Sequence, residues 1–321
     1  MDRKLISAVL IGGVLAISFS AVLIRLAEAE PAVIAFYRLF FSAALLAPWA
    51  LRQRGRAQIS FSQLGLIFGA GVLLALHFLF WMTSLEHTSV ASSVVLVTTQ
   101  PLFVFLLSLI FLKETPARSM WAGLILALAG SIAVVFSQDS LGQSRLFGNV
   151  LALLGAVMMA AYFLVGRKVR QKVPLALYSA LVYGASSVVL ALFILLRGLP
   201  WAGYPGRTWL MFFLLALFPT VLGHNSLNWA LEYLPATMVS IVILGEPIGA
   251  SISAALILKE IPGWLELLGS TLILAGIFLV WRADESAGDK SPADLSPKEL
   301  EQDEAGGGKK AGADTPPPVG S

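Results

Sequence analysis

The sequence predicts an all-α polytopic membrane protein of ten transmembrane helices, arranged as two inverted five-helix repeats. Three observations carry that expectation. The first is composition: 57% of the 321 residues are hydrophobic, 13% are charged, and the mean hydropathy is +0.82. A water-soluble domain carries about 25% charged residues, so this much apolar surface calls for a bilayer as solvent. The second is a succession of long apolar runs with short connections. The third is an internal repeat. Shifting the first half by 146 residues, without a gap, brings Leu85-Glu86 onto Leu231-Glu232 and Pro101 onto Pro247. The same shift brings Lys113-Glu114 onto Lys259-Glu260, Gly123 onto Gly269, and Ala129-Gly130 onto Ala275-Gly276.

The candidate spans fall at 5–24, 32–51, 64–85, 89–112, 119–136, 147–165, 175–196, 209–231, 235–258 and 263–281. The first of these, between Arg3-Lys4 and Ala27-Glu28-Ala29, has the flanks of a cleaved signal peptide. Its apolar run is longer than a signal core, and cleavage would break the two-half count, so it reads as a retained helix. With the N-terminus inside, the cytoplasmic loops receive twelve Lys or Arg and the outer loops five. That is the positive-inside asymmetry, and it also places the C-terminus in the cytoplasm. Five spans per half is an odd number. The second half therefore enters the membrane upside down, the plan of many secondary transporters whose site lies near the midplane between the repeats.

The chain thus divides into a first repeat at 1–137, a second at 146–282 and a tail at 283–321. The tail holds 4 Lys/Arg and 9 Asp/Glu and ends in Pro316-Pro317-Pro318 before its last residues. It buries too little apolar area to offset its ordering entropy, so it is expected to be disordered. With no cysteine, disulfides, thiolate metal sites and cysteine nucleophiles are excluded. No P-loop, H-E-x-x-H or G-x-S-x-G motif occurs, which leaves ATP hydrolysis, zinc proteolysis and a hydrolase elbow without support. The basic balance of the membrane body follows from cytoplasmic loops and does not point to nucleic acid.

Away from span ends, two charges lie in the predicted hydrocarbon, Arg38 and Glu246. Such residues normally face a partner or a cavity, because an isolated charge there costs about 2.5–3.5 kcal/mol on insertion scales. Arg38 lies about 9 Å deep at 1.5 Å per residue. It either grips a substrate carboxylate through its planar fork or acts as a structural tie. Glu246, nearer the midplane, either binds a substrate amine or a proton, or hydrogen-bonds the broken helix beside it. Pro101 and Pro247 each remove an N–H, so the carbonyls of Val97 and Ile243 lose their helical donor. Their matched positions make them candidate hinges. His77 and Trp81 share a face of the third span, and Asn225 and Asn228 lie on a short arc of the eighth. With Gln100 they are candidate cavity residues; the alternative for each is hydrogen bonding between helices. Pro219 has no counterpart in the first repeat and reads as a packing kink.

Ten helices in two repeats, Arg38 early in the second helix, the two prolines, the Leu112–Glu114 and Leu258–Glu260 tripeptides, and Glu246-Pro247 ahead of Gly269 and Gly276 resemble the EamA branch of the drug/metabolite transporter superfamily. The resemblance covers about residues 5–282. It implies a bacterial inner-membrane protein that exports or exchanges small metabolites, often amino acids, with helices 3, 4, 8 and 9 around a central cavity. Gln100 stands where an acid would mirror Glu246, so symmetric carboxylate chemistry is not expected.

The expectation is therefore a secondary transporter for a small amino-acid-like or amphiphilic metabolite, working by alternating access. Its substrate-binding residues would be Arg38, His77, Trp81, Gln100, Asn225, Asn228 and Glu246. It would have no cofactor or metal, proton coupling through Glu246, the lipid bilayer as partner, and a homodimer as a possible assembly. The rival readings are a passive channel and an intramembrane lipid-modifying enzyme. The enzyme is the weaker, because His77 and His224 fall on different spans and His87 in a loop.

Overall fold

In the computed structural model, which describes residues 3–56, 59–112, 118–136, 143–234 and 236–288, the apolar runs form helices bounded by local chemistry. The first run breaks at Phe19 into α1 (Arg3–Ser18) and α2 (Ser20–Leu26). Pro31 opens α3 (Pro31–Gln53), where its missing N–H costs nothing. A capping box between Ser60 and Gln63 starts α4 (Phe61–His87). The Ser89 hydroxyl accepts the backbone N–H of Ser92 to start α5 (Val90–Val97), followed by α6 (Gln100–Leu112) and α7 (Arg118–Phe136).

The second half runs through α8 (Gln143–Arg170) and α9 (Leu175–Arg197). Gly198, at φ 62°, ends α9 in the left-handed conformation that glycine adopts without a Cβ clash. Next come α10 (Gly206–Leu215), a π-helical segment (Ala216–His224) and α11 (Asn225–Ala230). Then follow α12 (Ala236–Val242), a 3₁₀ turn (Ile243–Gly245), α13 (Glu246–Ser253), a second π-helical segment (Ala254–Leu258) and α14 (Trp264–Gly288).

Among the described residues there is no strand, and eight helical stretches are long and apolar enough to cross a membrane. Two shorter apolar helices, Trp121–Val134 and Trp264–Gly276, occupy the fifth and tenth expected spans. Beyond Trp281 the helix α14 continues to Gly288, so the first residues expected in the tail are helical. The remaining tail, and Lys113-Glu114, lie outside the described residues.

Pro101 and Pro247, the candidate hinges, each sit one residue past a break. α5 stops at Val97, Thr98 and Thr99 form a turn, and α6 restarts at Gln100. In the second half the 3₁₀ turn Ile243–Gly245 precedes Glu246. Under the 146-residue shift, Val97-Thr98-Thr99 falls on Ile243-Leu244-Gly245, so the two breaks coincide. The missing proline N–H explains why the helix yields in the preceding turn. In the first break the Thr98 and Thr99 hydroxyls donate to the carbonyls of Val95 (3.0 Å) and Leu96 (2.6 Å).

The helices pack mainly in three pairs, α7 with α14, α4 with α8, and α3 with α9. α1 lies against the first π-helical segment, α11 and α13. Closest approach falls at glycine. A Cβ on Gly130 would stand 2.6 Å from the Gly269 carbonyl oxygen, and one on Gly269 would stand 2.8 Å from that of Gly130. At the centre Phe78, Tyr162, Phe163, Tyr183 and Phe212 are fully buried, whereas Leu51, Leu196 and Leu256 stand exposed on the outside. An apolar exterior around a partly polar interior is the pattern a bilayer selects.

Candidate functional site

Both broken helices converge on a small internal cavity. His77 and Trp81 of α4, Val97 and Thr98 at the end of α5, and Gln100 at the start of α6 form one side. Met159 of α8, His224 at the end of the first π-helical segment, Ile243 and Glu246 form the other. The cavity measures about 10 Å³, room for roughly one water. Its walls are nonetheless unusually rich in buried polar groups without partners. Trp81 Nε1 and His224 Nδ1 make no hydrogen bond among the described residues. The side chains of Gln100 and Glu246, at 2% and 6% exposure, are buried in the same walls. Buried polar groups are normally hydrogen-bonded, so two unsatisfied groups beside a buried amide and a buried acid around one space mark a place where something else binds.

His77 contributes a defined polarity. Its Nδ1 lies 2.9 Å from the carbonyl oxygen of Gly155. A carbonyl only accepts, so Nδ1 carries the hydrogen and the neutral ring keeps its lone pair on Nε2. The His77 ring stacks on Trp81 with centroids 6.0 Å apart and meets His224 edge-on at 6.4 Å.

Arg38 lies one layer behind this cavity. Its Nε donates to Thr220 Oγ1 (2.7 Å), its Nη1 donates to Ser20 Oγ (2.8 Å), and its guanidinium carbon sits 4.2 Å from the centroid of the Phe78 ring. Phe78 in turn touches His224, with centroids 5.4 Å apart. Only Nη2 lacks a partner. The Thr220 acceptor follows from Pro219. That proline removes the N–H that would have bonded the Leu215 carbonyl, and the Thr220 hydroxyl donates to that carbonyl instead (2.8 Å). The same oxygen then accepts from Arg38. Pro219, expected to be a packing kink, therefore sits in the π-helical segment that presents Thr220 to Arg38 and His224 to the cavity.

The two asparagines belong to a separate network. Asn228 Oδ1 accepts from Tyr162 (2.6 Å), its Nδ2 reaches Tyr183 (3.3 Å), and Asn225 Oδ1 accepts from Ser179 (2.6 Å). Of the seven sequence-predicted binding residues, the structure brings His77, Trp81, Gln100 and Glu246 to one cavity and places Arg38, Asn225 and Asn228 outside its lining. His224, Thr98 and Met159 join it; the 3.6-residue spacing that links His77 to Trp81 says nothing of contacts across helices.

Each end of the bundle is tied by ions. At one end Arg25 Nη2 donates to the Thr88 carbonyl (3.0 Å) and lies 3.5 Å from Glu260. Glu260 accepts the backbone N–H of Val90 (3.1 Å), and buried Glu266 accepts the hydroxyls of Ser89 and Ser92, both at 2.5 Å. These contacts clasp the start of α5, in the first half, to the start of α14 and the link before it, in the second. At the other end Arg170 Nη2 contacts Glu232 at 2.5 Å, its Nε donates to the Asn228 carbonyl (3.0 Å), and its Nη1 donates to the Val173 carbonyl.

A polytopic helical protein with a buried polar chamber between two broken helices has the architecture of a membrane transporter, and comparison with known proteins gives the family. The model of the EamA-like transporter family matches residues 4–136 and 146–282, and the chain belongs to that family. It is 27% identical over 269 residues to an uncharacterized transporter of Archaeoglobus fulgidus, covering 82% of this chain and 91% of the relative. It is 25% identical over 272 residues to the uncharacterized transporter YwfM of Bacillus subtilis, covering 84% and 90%. A crystal structure at 18% identity shares the fold, with a TM-score of 0.64 over 87% of this chain and 98% of that one. The chain is an integral membrane protein of a transporter family.

Proposed function

We propose that the protein is a secondary carrier that moves a small amine-bearing metabolite across a bacterial inner membrane by alternating access. One observation carries the reading: where the two broken helices meet, a small buried chamber holds the unpartnered Trp81 Nε1 and His224 Nδ1 beside the buried acid Glu246. A chamber of about 10 Å³ lined by buried side chains suits an occluded carrier state. Glu246 supplies the negative charge, the His77 lone pair and Gln100 supply further acceptors, and Trp81 adds a donor and an aromatic face. Arg38 acts first as the tie between α2, α3 and the π-helical segment, with Nη2 left for a cargo carboxylate.

Ten spans in two inverted halves account for the packing. A pseudo-twofold axis pairs the fifth span with the tenth and the second with the seventh, as α7–α14 and α3–α9 pair here. The Arg25 end is then outside and the Arg170 end cytoplasmic, with both termini inside. Reconstitution in proteoliposomes tests the reading. A carrier shows counterflow of labelled amine cargo and no single-channel conductance. Glu246→Gln abolishes uptake driven by a pH gradient and, by removing the charge that meets the amine, weakens exchange. Conductance without counterflow identifies a channel, and unchanged gradient-driven uptake in Glu246→Gln removes Glu246 from coupling.

A further inference from the structure

A groove of about 950 Å³ runs between α3 and α9 on the outside of the bundle, where small side chains leave room. Ala44 and Ala47 of α3 face Gly184 of α9 across it, and a Cβ added at Gly184 would meet nothing within 4 Å. Its lining extends along α3 from Phe36 to Arg54, about 27 Å at 1.5 Å per residue, close to the thickness of a bilayer's hydrocarbon core. Leu51 and Val188, both more than half exposed, form its lips, so the groove opens where lipid lies. Arg54 lines its end, with Arg52 two residues away. Both are exposed, and neither has an ion-pair partner among the described residues.

The half of this apolar trough from Arg54 to Ala44, about 15 Å or one leaflet deep and ending in arginine, matches one molecule: a phospholipid with an anionic headgroup. We infer that this groove binds an anionic phospholipid, its phosphate at Arg54 and one acyl chain along Ala47, Ala44 and Gly184. The inference rests on the orientation proposed above, which places Arg54 in the cytoplasmic leaflet, the one rich in anionic lipid in many membranes. Such a lipid would lie in the seam between helices of the two halves and so would weight their relative motion.

The test uses the full chain purified in mild detergent, exposed to an equimolar mixture of phosphatidylglycerol and phosphatidylcholine, with retained lipid read by native mass spectrometry. No cargo is present, so the result is independent of whether transport occurs. The expected result is about a fivefold preference for phosphatidylglycerol, the factor that roughly one arginine near a headgroup supplies. Arg54→Gln should bring that ratio near unity, and Gly184→Leu should remove the retained lipid of both kinds. Should Gly184→Leu fail to fold, Ala44→Leu fills the same trough from an exposed position. Equal retention of the two lipids, or a preference that survives Arg54→Gln, overturns the inference. A doubled mass with no retained lipid assigns the groove to a second copy of the chain and overturns it too.

Discussion

Arg38 shows how much of a residue's role is set by its neighbours. A guanidinium in a membrane interior is stable only when its donors are met, and here Thr220, Ser20 and the Phe78 face do most of that. Lysine offers no planar fork to serve two acceptors at fixed angles while lying on a ring. Arg38→Lys is therefore expected to lower stability by about 2 kcal/mol, the scale of a lost hydrogen bond to a charged group. Thr220→Val should cost about 1–3 kcal/mol, since it strands both the Arg38 Nε and the Leu215 carbonyl. Thermal unfolding in detergent reads both; unchanged melting in Thr220→Val would show that the Arg38 tie carries no weight. The sequence marked Arg38 and Glu246 as the two intramembrane charges. That Arg38 is held behind Phe78 while Glu246 faces the chamber was not legible, because Thr220, which fixes the guanidinium, comes from a span 182 residues away.

At the scale of elements, the two breaks were legible from the prolines, and the structure places each in the turn that a missing N–H at i disrupts. The π-helical segment around Pro219 was not, because a proline in a helix is resolved as a kink, a 3₁₀ turn or a bulge by what its neighbours can hydrogen-bond. The α7–α14 pair supplies a direct test. Gly130→Leu would drive side-chain atoms into the Gly269 backbone, and an overpacked contact of this kind costs about 1–3 kcal/mol or more. Gly69→Leu, at a position where an added Cβ meets nothing within 4 Å, should leave the melting temperature unchanged. Equal effects of the two substitutions would mean that the glycine contact does not hold these helices together.

At the scale of the whole molecule, Arg25, Glu260 and Glu266 tie the first half to the second at one end of the bundle, and Arg170 and Glu232 tie residues of the second half at the other. Glu266 is buried and accepts two hydroxyls, so Glu266→Gln exchanges two charge-assisted hydrogen bonds for neutral ones. The clasp should loosen and the chamber spend more time open at that end. The chain has no cysteine, which makes accessibility simple to read. With a single reporter from Thr98→Cys, labelling by a membrane-impermeant maleimide applied from outside should be several-fold faster in Glu266→Gln. An unchanged rate would mean that this clasp does not limit access.

The sequence by itself determined the membrane class, the internal repeat, the two broken helices and the lone acid at the second of them. All four rest on local composition and on backbone chemistry that a residue carries wherever it sits. Only the tertiary structure decided which polar side chains share a chamber. His224 joins His77 and Trp81 there, while Asn225 and Asn228 turn to a tyrosine network. The physical reason is that a helix's rotation about its own axis is chosen by packing against several neighbours at once, and the pattern along one span leaves that angle open.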